Sequence, residues 1–251
     1  RVRQRRRNRN PARVHAEVHL LVSVVFGTAG GQFLTGSANV TLPNADWCIA
    51  AMLRISDHTG SERNTVLSAG PTADGNELTF GTLRLQDPGS TPGSALLRVM
   101  DGTNPIVSLR STTLDVPVGQ WFMLIGQRSG ADKQLYTVPL GGTATLVASS
   151  TATLAGCTFG TPMMVGRRYC RQVTNDDCKA LTLAWVAWGS FALTASMISG
   201  LAAGMVPHEI TSWSVYLPFM DLRSSYRAPI GGGVYTVTGF PTGGVQPVRL
   251  W

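Results

Sequence analysis

Apolar and polar residues alternate along most of this chain in short runs, and each run stops at Gly, Pro, Asp or Asn. Alternation with a period of two is the mark of a half-buried strand, and such punctuation is the mark of turns. The first run covers 14–26, where Val14, Ala16, Val18 and Leu20 alternate with His15, Glu17 and His19 before the break "GTAGG". "HLLVSVVFGTAGG" also imitates a secretory leader, but its apolar run is short and crowded by polar residues, so a strand is expected. "QFLTGSANVTLP" predicts a strand, a turn and a strand. "WCIAAMLRIS", "TVLSAG", "ELTFGTLRLQ", "ALLRVMDG", "IVSLRSTTL", "QWFMLIGQR", "QLYTVPLGG", "ATLVASSTA" and "MMVGRR" continue the series. "LTLAWVAWG" is apolar on both faces, with Leu181, Leu183, Trp185 and Ala187 expected on one side and Ala184, Val186 and Trp188 on the other. A strand covered on both faces reads this way. One segment, "LTASMISGLAAG", has helical spacing: Thr194 is the N-cap, Met197, Ile198 and Leu201 form a stripe, Gly204 suits C′ and Pro207 prevents continuation. Residues 211–222 give a last strand interrupted by Pro218, and 223–251 form a Gly- and Pro-rich tail that folds back or docks on a neighbour, with one strand candidate at "VYTVTGF".

Composition agrees with many short strands and tight turns. Charged residues are 14 %, with 28 Gly and 14 Pro in 251 residues. Charge is distributed unevenly. The chain has 21 basic and 14 acidic residues, and Arg1, Arg3, Arg5, Arg6, Arg7, Arg9 and Arg13 account for the whole excess of +7. The remaining residues sum to zero, so the body has no net charge to attract phosphates. The arginine arm is expected to order only on a partner, either nucleic acid or an acidic protein groove. No run reaches eighteen apolar residues, so no membrane-spanning helix is expected.

Several stretches resemble one family. "GQFLTGSANVTLPNADWCIAAMLRI" resembles the opening of a laminin-G-like, concanavalin-A-like domain, and "VPVGQWFMLIGQRSGADKQLYTVPLGG" its central hairpin. "MMVGRRY" is similar to its later core strand, and "LAWVAWGSFALTASMISGLAAGMVP" to its closing strand and short helix. "WSVYLPFMDLRSSYRAPIGGGVYTVTGFPTGGVQPV" resembles the extension after such domains in phage proteins. The resemblance implies an all-β, antiparallel β-sandwich jelly roll with one short helix, an extended N-terminal arm and a C-terminal tail. It divides the chain into 1–27 (arm and leading strand), 28–222 (jelly roll) and 223–251 (tail). Where that family carries "Y-x-D-G", this chain has "YTVPLGG", without a carboxylate.

Catalytic signatures are missing. A glycosidase needs two carboxylates flanking the scissile bond, and Glu17, Glu62, Glu77 and Glu209 have no acidic neighbour at i+2. Asp176 and Asp177 are adjacent, so a strand would point them to opposite faces. There is no G-x-S-x-G, no metalloprotease H-E-x-x-H and no zinc-spaced Cys/His cluster. His15, Glu17 and His19 read as a solvent-facing stripe. Calcium, held by loop oxygens in many members of the resembled family, has its candidates in Asp57, Asp101 and Asp176, for which turn chemistry is the plain alternative. Cys48 reads as a buried small hydrophobe, and "YCRQVTNDDC" leaves Cys170 and Cys178 either bridged or as two free thiols. For a bound glycan the candidates are Tyr136, Tyr169 and Trp213 as stacking rings, with Asn175 and Asp176 for hydroxyls. The long polar loop Arg167–Asp177 is the first place to look.

These features point to a non-enzymatic structural protein of a phage or phage-like virion, anchored by arm and tail. Its expected partners are other virion proteins, copies of itself and host-surface polysaccharide. Two alternatives stand beside this: a carbohydrate-binding module of a secreted or surface protein, and a capsid protein whose arm binds the packaged genome.

Overall fold

The computed structural model describes residues 20–22, 24–26, 33–57, 64–70, 77–82, 91, 93–101, 104–154, 156–168, 176–177, 181–210, 212–219, 225–227, 234–238 and 247–249. The arginine arm, the His15, Glu17 and His19 stripe, Cys170 and Cys178 lie outside the described residues.

In chain order the strands are β1 (Leu20–Val22), β2 (Val24–Phe26), β3 (Phe33–Leu42), β4 (Trp47–Ile55), β5 (Asn64–Ala69), β6 (Glu77–Thr82) and β7 (Ala95–Asp101). There follow β8 (Asn104–Arg110), β9 (Trp121–Ser129), β10 (Asp132–Pro139), β11 (Thr145–Ser150), β12 (Cys157–Val165), β13 (Arg167–Arg168), β14 (Asp176–Asp177) and β15 (Leu181–Gly189). Helix α1 (Ala195–Ala202) precedes β16 (Trp213–Pro218), β17 (Ser225–Arg227), β18 (Val234–Thr238) and β19 (Pro247–Arg249). A seven-stranded sheet runs β11-β10-β9-β4-β15-β16, with β2 also on β15, and an eight-stranded sheet runs β17-β18-β3-β12-β5-β6-β7-β8. All described pairs in both are antiparallel. The tail folds back here, since β18 pairs with β3.

The sandwich interior follows from alternation. Leu34, Val165, Leu67, Phe80, Leu97 and Leu109 are register neighbours across six strands of the eight-stranded sheet, and all are buried. They pack in one cluster with Ile49, Leu53, Phe122, Leu124 and Leu183 of the facing sheet. Each such side chain contributes roughly 1.5–3 kcal/mol of burial. The other face of the seven-stranded sheet is apolar too. Cys48, Ala50, Met52, Met123, Ile125, Trp185 and Ala187 form a second cluster, roofed by Ile198, Leu201 and Ala202 of α1 together with Leu193, Ile210 and Trp213.

The helix forms as expected. Thr194 Oγ1 accepts from the Met197 amide at 3.2 Å, and Gly204 follows the helix with φ of 99°. Pro207 opens a 3-10 turn, Pro207–Glu209.

Two expectations need correction. In β15 the two faces are apolar, but they are divided differently: Leu181, Leu183 and Val186 face the sandwich interior, whereas Ala184, Trp185 and Ala187 belong to the roofed outer cluster. The cause is a bulge. Leu183 lies opposite Leu53 and Trp185 opposite Met52, so Ala184 is an extra residue and every later side chain changes face. Secondly, "QFLTGSANVTLP" is one strand without a turn. Gly36, Ser37 and Ala38 stand opposite Met163 alone, and Phe159, Gly160 and Thr161 stand opposite Val40 alone. The small residues take up a bulge in β3, which a matching bulge in β12 cancels.

Candidate functional site

The outer face of the eight-stranded sheet differs from every other sheet face. Beside the apolar interior row runs a second row, Thr35, Met164, Ser68, Thr79, Arg98 and Ser108, again register neighbours from β3 to β8. Alternation alone places them on the outside. Glu77 lies next to Thr79 on the same face of β6. It accepts the Thr79 hydroxyl at 3.2 Å, and Arg98 Nη2 is 3.8 Å from the same carboxylate oxygen. Thr79 and Ser68 are buried, Arg98 is partly buried, and Ser108 and Arg110 at the β8 edge are exposed. The row and its border thus hold seven hydroxyl or charged side chains, of which Ser68, Thr79 and Glu77 are buried and Thr35, Arg98, Ser108 and Arg110 reach the surface.

The start of the polar loop, β13, borders this face. Gly166 has φ of 78°, a left-handed conformation that suits glycine. It turns the chain after β12 so that β13 lies against β5, where the Ser68 hydroxyl donates to the Arg167 carbonyl at 2.6 Å. The Arg167 guanidinium sits 4.1 Å above the Phe33 ring, a cation–π contact. β13 and β14 then pair as a two-stranded ribbon, with Arg168 opposite Asp176 and Arg167 opposite Asp177.

The expected glycan residues are not brought together. Asp176 is in the ribbon, while Tyr169 and Asn175 lie outside the described residues. Tyr136 is on β10 of the other sheet, half-buried beside the roofed cluster, and burial raises its phenol above the usual value. Trp213 is a correction. It is 3 % exposed, its indole N–H donates to the Pro207 carbonyl at 2.8 Å, and it meets Phe191 edge to face at 5.1 Å. A ring so enclosed offers no stacking face. Its strand-end position in the sequence gave no sign of the 3-10 turn that covers it.

The calcium candidates do not converge either. Asp57 follows β4 near Asn64, whose side-chain amide donates to the Asp57 carbonyl at 3.4 Å. Asp101 ends β7 beyond Met100, which pairs with Glu77 at the opposite end of β6 from the residues facing Asn64. Among the described residues no three His, Cys, Asp or Glu side chains come together as a metal site. Cys48 and Cys157 are free and buried. Burial pushes the Cys48 thiol far up, against a smaller lowering by a backbone hydrogen bond from Gly189. Among the described residues no helix is long and apolar enough to cross a membrane.

The Glu77, Thr79 and Arg98 group escaped the sequence reading. The alternation of "ELTFGT" separates Glu77 and Thr79 from Leu78 and Phe80, but nothing in one strand's pattern says which residues a neighbouring strand sets beside it.

No family model matches the sequence, and no curated protein does. Solved structures do. A Bacteroides ovatus protein assigned to carbohydrate binding superposes with a TM-score of 0.62 at 15 % identity over 92 % of this chain, which spans 60 % of that protein. The heptameric SAP-like pentraxin of Limulus polyphemus gives a TM-score of 0.53 at 11 % identity, covering 88 % of this chain and 96 % of that one. Mouse laminin α1 domains LG4–5 are more distant, with a TM-score of 0.38 at 16 % identity over 66 % of this chain and 44 % of theirs. The fold is therefore the concanavalin-A-like jelly roll that the sequence resemblance implies.

Proposed function

We propose that this jelly roll is a non-catalytic saccharide-recognition protein whose ligand lies on the outer face of the eight-stranded sheet, and that it is displayed on a phage or phage-like particle. The observation that carries the reading is the polar row, with Thr35, Arg98, Ser108 and Arg110 at its surface around the buried Ser68, Thr79 and Glu77, bordered by β13. Hydroxyl-rich ligands are recognised by such convergent donors and acceptors. The carbohydrate-binding assignment of the Bacteroides protein supports the ligand class by analogy of fold. The particle reading rests on the phage-like pattern of the C-terminal extension and on an arginine arm that needs a partner to order.

A carboxylate pair is what a glycosidase would require. Glu77 is the one carboxylate found among the described residues of this row, and it is engaged with Thr79 and Arg98. Turnover of polysaccharide is therefore not expected.

The test is binding of the purified protein to a panel of bacterial surface polysaccharides, with Ser108→Trp to fill the exposed end of the row and Arg98→Gln to remove its guanidinium. Both variants should bind at least about tenfold more weakly, a loss of about 1.4 kcal/mol, and melt as the parent does. Undiminished binding by both would place the ligand elsewhere. Stoichiometric presence in purified particles separates the particle reading from that of a secreted module.

A further inference from the structure

We infer, on the reading of this chain as a saccharide-recognition protein, that a strip on the roofed side of the seven-stranded sheet is a second subsite, one that takes a sugar unit bearing a carboxylate. The strip is Leu140, Trp121, Arg54 and Thr182. Trp121 pairs with Arg54, and Arg54 with Thr182, across β9, β4 and β15. The Leu140 amide donates to the Trp121 carbonyl at 3.1 Å and extends the row past β10. Arg54 follows Cys48, Ala50 and Met52 on the outward face of β4, the side that α1 covers. All four residues of the strip are only half-buried, so the roof stops short of them. Beyond them an open cavity of about 130 Å³ is lined by Leu140, Gly141, Ala202, Ala203 and Gly204. There the end of α1 meets the turn after β10, and the Gly141 amide donates to the Ala202 carbonyl at 2.9 Å.

Arg54 breaks the pattern of its strand. Every other residue of β4 is buried, and β4 lies between β9 and β15 in the middle of the sheet. Half-burying a guanidinium costs desolvation that a partner has to offset. Other described cations have one. Arg98 has Glu77, Arg128 has Asn44 and the Leu154 carbonyl, Lys133 has the Ala131 carbonyl, and Arg167 has the Phe33 ring. Arg54 makes no hydrogen bond, ion pair or ring contact among the described residues.

The neighbouring groups say what the missing partner is. A guanidinium with its donor fork unengaged matches a carboxylate bidentately. The Trp121 indole beside it offers a flat apolar surface and an N–H that makes no hydrogen bond among the described residues. The Thr182 hydroxyl can donate and accept. A pyranose ring with a carboxylate presents an apolar face, an anion and hydroxyls in one unit, and the cavity past Leu140 leaves room for a ring substituent. A neutral sugar would leave Arg54 uncompensated.

Binding to uronate-containing polysaccharides, alginate and polygalacturonate among them, each beside its carboxyl-reduced form, tests this. The variants are Arg54→Met and Trp121→Met, with Ser108→Trp on the other sheet for comparison. The parent should bind an acidic form about tenfold or more tightly than its reduced form. Arg54→Met should abolish that preference and Ser108→Trp should keep it, while Trp121→Met should weaken binding of the acidic form about tenfold. Arg54→Met should melt at or above the parent, because methionine keeps the packing of the stem and removes the charge. A parent without preference, a preference that survives Arg54→Met, or an Arg54→Met variant that melts well below the parent overturns the subsite and leaves the outer face of the eight-stranded sheet as the ligand site. A parent that binds no saccharide, acidic or neutral, overturns both.

Discussion

The two sheets of this sandwich treat their outer faces in opposite ways. The seven-stranded sheet is apolar on both sides: Ile49 and Leu53 point inward from β4, while Cys48, Ala50 and Met52 point outward under α1. The eight-stranded sheet is apolar inside and lined outside by Thr, Ser, Glu and Arg. A strand buried on both faces has no surface left for a ligand, which is the state of β4 and of most of β15. The second sheet is buried on both faces at β5 and β6 and opens toward β8, where Arg98 is half-buried and Ser108 and Arg110 are exposed. The two sheets thus differ in the chemistry of their outer faces, and α1 covers the apolar one.

If the roofed face is a true second core, removing its largest ring should cost as much as removing one from the interior. Trp185→Ala and Phe80→Ala are each expected to lower stability by about 3–5 kcal/mol, measured by denaturant unfolding. A loss below about 1 kcal/mol for Trp185→Ala alone would reduce the helix and its loop to an ornament. The join between sheet and roof is the next test. Gln127 is buried; its amide donates to Gln134 at 2.9 Å and its carbonyl oxygen accepts the Leu193 amide at 2.9 Å. Gln127→Ala strands that amide and should cost about 1–3 kcal/mol, with exchange of the Leu193 amide accelerated more than that of the interior strands. Thr194→Ala should cost about 1 kcal/mol through the lost cap, and a change under a few tenths would show that packing alone holds α1.

The smallest effect concerns a defect in the roofed core. The Tyr216 hydroxyl is buried without a hydrogen-bond partner among the described residues, and its ring lies 6.2 Å from that of His208. Burial holds the phenol neutral well above its ordinary range. The unfolded chain ionises this group near pH 10, so its contribution is complete below that pH and lost as pH rises through and beyond it. Tyr216→Phe should raise stability by up to about 1 kcal/mol at neutral pH and delay alkaline unfolding. Earlier alkaline unfolding in the variant would mean the hydroxyl does have a partner.

What the sequence made legible followed from local rules. Thr194, the stripe through Ile198 and Leu201, and Gly204 define the helix because capping and period are properties of neighbouring residues. The two-sided burial of "LTLAWVAWG" was legible for the same reason. Its partition was not, because the bulge at Ala184 is set by β4 across the sheet. Trp213 was misjudged because the turn that encloses it comes from an earlier segment. The polar row was legible strand by strand, yet its assembly depends on register between segments as distant as Thr35 and Arg98.

The opposed bulges of β3 and β12 carry a consequence for how this chain can change over time. Three residues stand against one at Gly36–Ala38, and three against one again at Phe159–Thr161, after which Thr41 and Leu42 meet Thr158 and Cys157 in the register that Leu34 and Val165 began. Losing a single residue from either bulge would slip one end of the pair and turn inward-facing side chains to solvent. Losing two from both would leave the ends aligned. Length differences in related chains should therefore occur here in compensating pairs, more than a hundred positions apart in sequence, and a comparison that scores each gap alone would misalign one of the two strands.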